Sequence, residues 1–368
     1  MMKSMFEMER NVCSILGLPF DMTDMFGAIE RIDYSVKNNT PCFISTPNLN
    51  FLIASQNNTD FRNSVINSDL SVADGKPLIW IARLLNIPLP DRIAGSDIIE
   101  ELIENKKRNN PLKVFFFGGH DGVAEQACKK LNLSEKGLSC TGFYNPGFGT
   151  LDEMSTPNII DTINQSDADF VIVSLGAKKG QAWIQENKDK LESPVISHLG
   201  AVVNFIAGTV KRSPKILQKL GIEWLWRIKE EPALWSRYFR DGVSFLYLFL
   251  FRALPLSILI SRKKPKKENR TGKIEITSSD GLTNIELNGF WGIDNIQETN
   301  KAFIAVLELT DDIHINITES SYIDGAFIAK IMLLKKNLTK DSRGLKIKSE
   351  SRLITRIFHY NCCDYLLN

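Results

Sequence analysis

With 368 residues the chain exceeds one ordinary hydrophobic core, so two domains are expected. Lys+Arg 45 against Asp+Glu 43 leaves it near neutral, which argues against a general nucleic-acid binder. Six scattered cysteines (Cys13, Cys42, Cys128, Cys140, Cys362, Cys363) without a C-x-x-C pair predict reduced cytosolic thiols, and four histidines without H-E-x-x-H give no metal site.

The opening MMKSMFEMER lacks an apolar signal core, so secretion is not expected. Met22, Met25, Phe26, Ile29, Ile32 and Val36 recur at helical spacing and predict an amphipathic helix. Cys42-Phe43-Ile44 reads as a short buried strand broken by Thr46-Pro47-Asn48, with helical segments following to about Ile66. Leu70, Val72 and Ala73 form a second apolar run that ends at Asp74-Gly75, and Pro77 to Leu85 is again helical. Asp74 is therefore expected where a strand hands over to a helix, facing the cleft that open α/β sheets form outside strand C-termini. The commoner role of such an Asp-Gly pair is a helix cap.

A helix from about Asp97 to Lys107 precedes the strand Val114 to Phe117, which ends in Gly118-Gly119-x-x-Gly122. Such a turn lets backbone amides approach a phosphate at a helix N-terminus, although it is not the full dinucleotide fingerprint. That incompleteness, without a downstream acidic residue, disfavours a NAD-dependent oxidoreductase, and no P-loop lysine pattern is present. Strands at Phe170 to Leu175 and Val195-Ile196 each lead into a helix. This alternation predicts an α/β fold with a Rossmann-like parallel sheet over residues 1–211.

Residues 212–261 differ in texture. RSPKILQKLGIEWLWRIKEEPALWSRYFRDG is rich in Trp and Arg, and VSFLYLFLFRALPLSILI approaches the length of a membrane span but is interrupted by Arg252 and Pro255. Basic residues crowd the linker 262–271 directly behind it, the composition of a peripheral anchor on an anionic membrane surface. Residues 272–368 then read as a second small α/β domain without a carboxylate pair, metal cluster or phosphate loop.

Several short motifs come in order: TPN (Thr46–Asn48), ADG (Ala73–Gly75), DRIAGSD (Asp91–Asp97), FFFGG (Phe115–Gly119), LGA (Leu175–Ala177) and RSPK…GIEWLWR…EP…RY (Arg212–Tyr238). Together they resemble the WecG/TagA/CpsF glycosyltransferases over about Met22 to Gly242. The resemblance implies inverting, metal-independent transfer of a sugar from a UDP-sugar to a sugar on an undecaprenyl-diphosphate carrier, without a cofactor. N-acetylmannosamine, its uronic acid and glucose are donors among such enzymes. The implied general base falls on Asp74 and the pocket residues on Thr46 and Asn48, with Arg212, Arg227 and Arg237 near the diphosphates. Arg92 and Asp97 are expected to pair with each other or with ligand, and Gly118 and Gly119 to border the nucleotide. The Arg/Trp segment corresponds to a C-terminal appendage that reaches the membrane and closes the site, placing the protein on the cytoplasmic face of the cell membrane. One departure stands out: the pocket glutamine of the resemblance aligns with Gly180, leaving Gln181 one position along and about 100° around the helix, so either Gln181 substitutes as a substrate-binding residue through a locally shifted turn or donor specificity differs.

Residues 272–368 resemble a STAS domain through ITESSYIDGAFIAKIMLLKK. The regulatory phospho-acceptor position of that resemblance is Gly325, which has no hydroxyl, so constitutive docking to a protein partner or self-association is expected instead. The alternative reading is a catalytically inactive nucleotide-binding scaffold whose working end is this second domain.

Overall fold

The computed structural model describes residues 2–104, 110–134 and 136–367; the predicted end of the helix at Lys107 lies outside them. Among the described residues, eight strands occupy the first part of the chain. They are β1 (Val12–Ile15), β2 (Leu18–Asp21), β3 (Cys42–Ser45), β4 (Leu70–Ser71), β5 (Leu112–Gly118), β6 (Leu138–Tyr144), β7 (Phe170–Ser174) and β8 (Val195–His198). The last six make one parallel sheet in the order β4-β3-β8-β7-β5-β6. Its central strands are buried on both faces, as crossover helices require. Val114 and Phe116 of β5 join one apolar core while Phe115 and Phe117 join the other, the two-residue period of a pleated strand. Trp183 stacks on Phe117 with ring centroids 4.2 Å apart and donates its indole N–H to the Met154 carbonyl at 2.8 Å.

Three strands of this part, β6 and the β1–β2 pair, have no signal in the residue pattern. Strand β6 carries Ser139, Thr141 and Gly142 on a sheet edge, so it has no apolar run to announce it. The β1–β2 hairpin turns through Leu16 and Gly17, both at positive φ, without the Asn-Gly or Asp-Gly signal of such turns. A third correction concerns the cysteines. The helix Val123–Ser134 lies against β6, and Cys128 and Cys140 are joined as a disulfide with Cα atoms 5.1 Å apart. The other four thiols are free.

From Pro232 to Lys263 the chain forms one helical run of 32 residues. It does not break at Pro255; the ladder instead widens to a π turn over Phe249–Ala253, which accommodates the proline's missing N–H and its clash with the preceding turn. Leu248, Ala253 and Leu256 are buried on one side. Trp235, Phe239, Val243, Tyr247 and Phe251, spaced four residues apart, are each more than half exposed on another.

The C-terminal layer contains β9 (Gly272–Ser279), β10 (Leu282–Trp291), β11 (Asp312–Asn316), β12 (Ser320–Ile323) and β13 (Leu345–Lys348). The strands run β12-β10-β11-β13, with β9 antiparallel to β10. Asp324 caps the helix Gly325–Lys340, accepting from the Ala326 amide at 2.9 Å. That helix is buried on nearly all sides because β1 and β2 of the N-terminal hairpin cover its outer face. One apolar core therefore joins Val12, Leu18 and Phe20 to Phe327, Ile331 and Leu334.

Charge is buried at this junction. Lys336, with a fully buried side chain, contacts Glu7 and sits 3.6 Å from Asp69, while Arg10 holds Asp21 at 2.6 Å. Removing one member of such a cluster leaves buried charge less well compensated, which typically costs about 3–5 kcal/mol. Lys336→Met is expected to destabilise the protein by about that amount in denaturant unfolding, and Glu7→Gln added to it to recover part of the loss.

Candidate active site

The loops at the C-terminal ends of β3, β4, β5, β7 and β8 converge on one cleft of about 1080 Å³. Its remaining wall comes from the helix Glu223–Glu230 and the start of the 232–263 helix, through Arg227, Arg237, Tyr238 and Asp241.

Asp74 lies three residues beyond β4 and faces this cleft. Its backbone is pinned on both sides: the Asp74 amide donates to Pro47 O at 2.8 Å and the Ile93 amide to Ala73 O at 2.8 Å. The cap of the following helix Lys76–Leu84 is Gly75, at φ 110°, and no side chain caps it. The carboxylate is thus not consumed as a helix cap and stays available to the cleft. Burial raises its pKa from the ordinary 3.8 to about 7; Arg92 opposes this, Glu223 adds to it, and Arg212 and Arg227 lower it.

Arg92 is the hub of the polar network. Its guanidinium lies 4.0 Å from Asp74, 3.4 Å from Asp97 and 3.4 Å from Glu223, and it donates to Gln218 Oε1 at 3.4 Å. Asp97 is held from the other side by Arg212, which also grips Glu100. Neither Asp97 nor Arg212 lines the cleft; both stand behind Arg92 and fix it. Arg227 and Arg237 do line it. Arg227 Nη1 and Arg237 Nε are buried without a hydrogen-bond partner among the described residues, unlike the great majority of buried polar atoms. Two such guanidinium edges in one cleft suit an anion.

Thr46 is buried at the cleft wall, and Asn48 caps the helix Leu49–Asn57 by accepting from the Phe51 amide at 3.2 Å. That cap leaves the Asn48 amide nitrogen as the group it presents. The glycine turn departs from expectation. Gly119 borders the cleft, but its N–H donates to Ser174 O at 3.0 Å and is not available to a phosphate. Gly118 lies behind it, where a Cβ would stand 2.7 Å from the same carbonyl, so the two glycines serve the close approach of β5 to β7. Gln181 is also placed away from the cleft: it is 1% exposed and donates to Ser45 Oγ at 3.3 Å behind the sheet edge.

Lys76, Trp80, Lys179, His198, Glu223 and Asp241 line the cleft without having been singled out in the sequence. His198 comes from the end of β8 and the others from helices whose facing is set by tertiary packing. Asp241, for example, accepts from Asn50 Nδ2 at 3.3 Å and so ties the long helix to the helix behind Asn48. Among the described residues no group of three or more His, Cys, Asp or Glu side chains converges as a metal-ligand set.

The profile of the Glycosyl transferase WecG/TagA/CpsF family matches residues 13–257. The chain belongs to this family. It is a glycosyltransferase. The chain is similar to the N-acetylglucosaminyldiphosphoundecaprenol N-acetyl-beta-D-mannosaminyltransferases of Staphylococcus aureus strains NCTC 8325 / PS 47, COL and MSSA476. To each it is 27% identical over 215 residues, which is 58% of this chain and 82% of the relative. In this WecG/TagA/CpsF glycosyltransferase, the match includes the β1–β2 hairpin from residue 13 and most of the long helix, and stops before the C-terminal layer.

The sign of the Asp74 shift sets two pH dependences. The folded carboxyl binds its proton more tightly than the unfolded one, so its contribution to stability is fullest below about pH 4 and is lost as pH rises through about 7. Asp74→Asn is therefore expected to melt above the wild type at pH 8, with the gain vanishing toward pH 4 in thermal scans. The wild-type kcat/KM should rise with pH across about 7, and Arg92→Gln, by removing a charge that lowers the pKa, should move that limb higher.

Proposed function

We propose that this glycosyltransferase moves an N-acetylmannosamine-type or related hexose from a UDP-sugar to a sugar carried on undecaprenyl diphosphate, with inversion at the anomeric carbon and without a metal. The observation that carries the reading is the pair of buried, unpartnered guanidinium nitrogens on Arg227 and Arg237 in the cleft that holds Asp74. The names of the staphylococcal relatives supply the carrier and the sugar class.

The reaction is a single in-line displacement. The acceptor hydroxyl oxygen attacks the donor's anomeric carbon while its proton passes to the Asp74 carboxylate. The bond from that carbon to the UDP oxygen breaks, and UDP leaves with the electron pair. Arg227 and Arg237 stabilise the charge that develops on the departing diphosphate, a preorganised electrostatic contribution in a partly enclosed cleft. Thr46 and the Asn48 amide hold sugar hydroxyls, and Asp97 and Arg212 act through Arg92.

The helix 232–263 lies on the cytoplasmic face of the cell membrane. Its exposed stripe Trp235-Phe239-Val243-Tyr247-Phe251 is the kind of apolar patch that marks an interaction surface, and Arg262, Lys263, Lys264, Lys266 and Lys267 follow it. Each such cation contributes about 1 kcal/mol of attraction to an anionic leaflet. Arg237 stands at the start of this helix and Arg227 on the short helix Glu223–Glu230 just before it, so a carrier's diphosphate held at the bilayer surface lies close to Asp74. For residues 272–367 the STAS-like assignment is supported by the Asp324-capped helix and the parallel β10, β11 and β13.

Asp74→Asn is expected to bind UDP as the wild type does and to lose transfer to a short-chain polyprenyl-diphosphate sugar by about 10²–10⁴, measured as UDP release. Unchanged turnover would remove the base assignment. Phe239→Ser with Tyr247→Ser should weaken co-sedimentation with phosphatidylglycerol vesicles while leaving UDP binding intact; equal sedimentation would remove the membrane face.

A further inference from the structure

His198, the last residue of β8, lines the cleft but has no part in the displacement described above. It is 8% exposed, and its Nε2 has no hydrogen-bond partner among the described residues. Buried polar atoms are satisfied in nearly all folded proteins, so an orphaned imidazole nitrogen in the wall of a binding cleft points to a ligand group. Burial lowers the imidazole pKa to about 4, which leaves the ring neutral with one donor and one acceptor nitrogen.

The ring sits in a seat made by two glycines. A Cβ at Gly180 would stand 2.2 Å from His198 Cδ2 and 3.1 Å from Nε2. Gly180 lies inside the helix Ala177–Asn187 without a positive φ, so the backbone itself does not call for glycine there. Glycine inside a helix costs stability relative to alanine, and here the imidazole supplies the reason for it. On another side a Gly200 Cβ would stand 3.3 Å from Nε2 and 3.4 Å from Cε1, and Gly200 itself lines the cleft. The neighbouring Gln181 is turned away to Ser45, so no side chain from 180 or 181 competes for this space. The ring also faces Phe51, with centroids 6.3 Å apart, which limits its tilt.

We propose that His198 is a specificity-determining residue that hydrogen-bonds a polar substituent on the hexose of the donor, and that Gly180 is glycine to make room for its ring. The proposal rests on the UDP-sugar reading given above. It places the imidazole on the sugar and not on the nucleotide, so loss of the ring should be felt by UDP-sugar and not by UDP.

The test uses the full chain, with UDP and UDP-N-acetylmannosamine as probes and the short-chain lipid-linked acceptor for turnover. His198→Ala is expected to raise the donor KM by about tenfold or more while the Kd for UDP stays within about twofold. Gly180→Gln alone should also raise the donor KM, because its side chain collides with the ring. Gly180→Gln with His198→Gly empties the seat and puts an amide into it, and should recover most of the loss. On the wild type, the imidazole nitrogen resonance that His198→Ala removes should shift with UDP-N-acetylmannosamine and stay in place with UDP alone; this reading needs no folded variant. Equal responses to the two ligands, or an unchanged donor KM in an enzyme that still transfers sugar, would overturn the role of His198 alone. A wild type that transfers sugar from no UDP donor would overturn the functional reading, and this one with it.

Discussion

The contact between Asp74 and Arg92 governs the rest of the site. A carboxylate in an enclosed cleft resists ionisation, and a guanidinium 4.0 Å away opposes that resistance. The outcome is an acid whose pKa, about 7, lies near neutrality, so the group can both bind and release a proton there. Arg92 cannot be adjusted independently, because Asp97, Glu223 and Gln218 share it. Two of those three partners, Glu223 and Gln218, belong to the helical segment that follows the sheet, and Glu223 also raises the Asp74 pKa directly. The docking of that segment and the basicity of Asp74 are therefore one electrostatic problem.

The same segment is held at both ends. Near the cleft, Asp241 meets Asn50, and Phe245 meets Trp80 with ring centroids 6.4 Å apart. Further along, Arg252 donates to the His359 carbonyl at 2.9 Å and Leu256 enters the core shared with the C-terminal layer. A helix so anchored keeps one side turned outward along its length, which is why the exposed aromatic stripe stays continuous across the π turn. In sequence Arg252 looked like a charge interrupting an apolar span. In the fold it is a polar tether to the neighbouring layer, and the helix runs through it.

How much was legible in the sequence follows from where each signal is stored. The parallel sheet was readable because β3, β5, β7 and β8 are short apolar runs ending in glycine or polar turns, a local pattern. Asp74, Thr46, Asn48, Arg92, Arg227 and Arg237 were placed in the cleft because the ordered motifs carry them there. Gln181 would enter the cleft only through a shifted turn, and the helix keeps its regular turn there, directing the side chain to Ser45; no local signal reports which of two adjacent positions faces inward. Gly118 and Gly119 were read as a phosphate turn, whereas Ser174 O takes the Gly119 amide. That bond depends on the spacing of β5 and β7, which the chain order does not reveal. His198 was passed over for the same reason: its meaning lies in the missing side chains at Gly180 and Gly200, two places brought together only by folding.

The disposition of the first twenty residues changes how the C-terminal layer is understood. A Cβ at Gly325 would stand 2.8 Å from Cys13 Sγ and 2.9 Å from Ser14 O, so the N-terminus of the helix Gly325–Lys340 is already covered by the chain's own hairpin. Along the same helix Lys330 donates to Arg10 O at 2.6 Å, and Lys336 donates to Ser68 O at 3.1 Å, the latter on the stretch that leads into β4. The outer face of this helix is thus the face that fastens the C-terminal layer to the six-stranded sheet. Lys336 is desolvated between Glu7 of the N-terminal helix and Asp69 before β4, so it meets both carboxylates only where the hairpin and the sheet are packed on the helix that carries it. Asp69 in turn accepts from the Phe43 amide at 2.9 Å and lies five residues before Asp74. The C-terminal layer therefore supports the strand that leads to Asp74, while β9, antiparallel to β10, is exposed along most of its length.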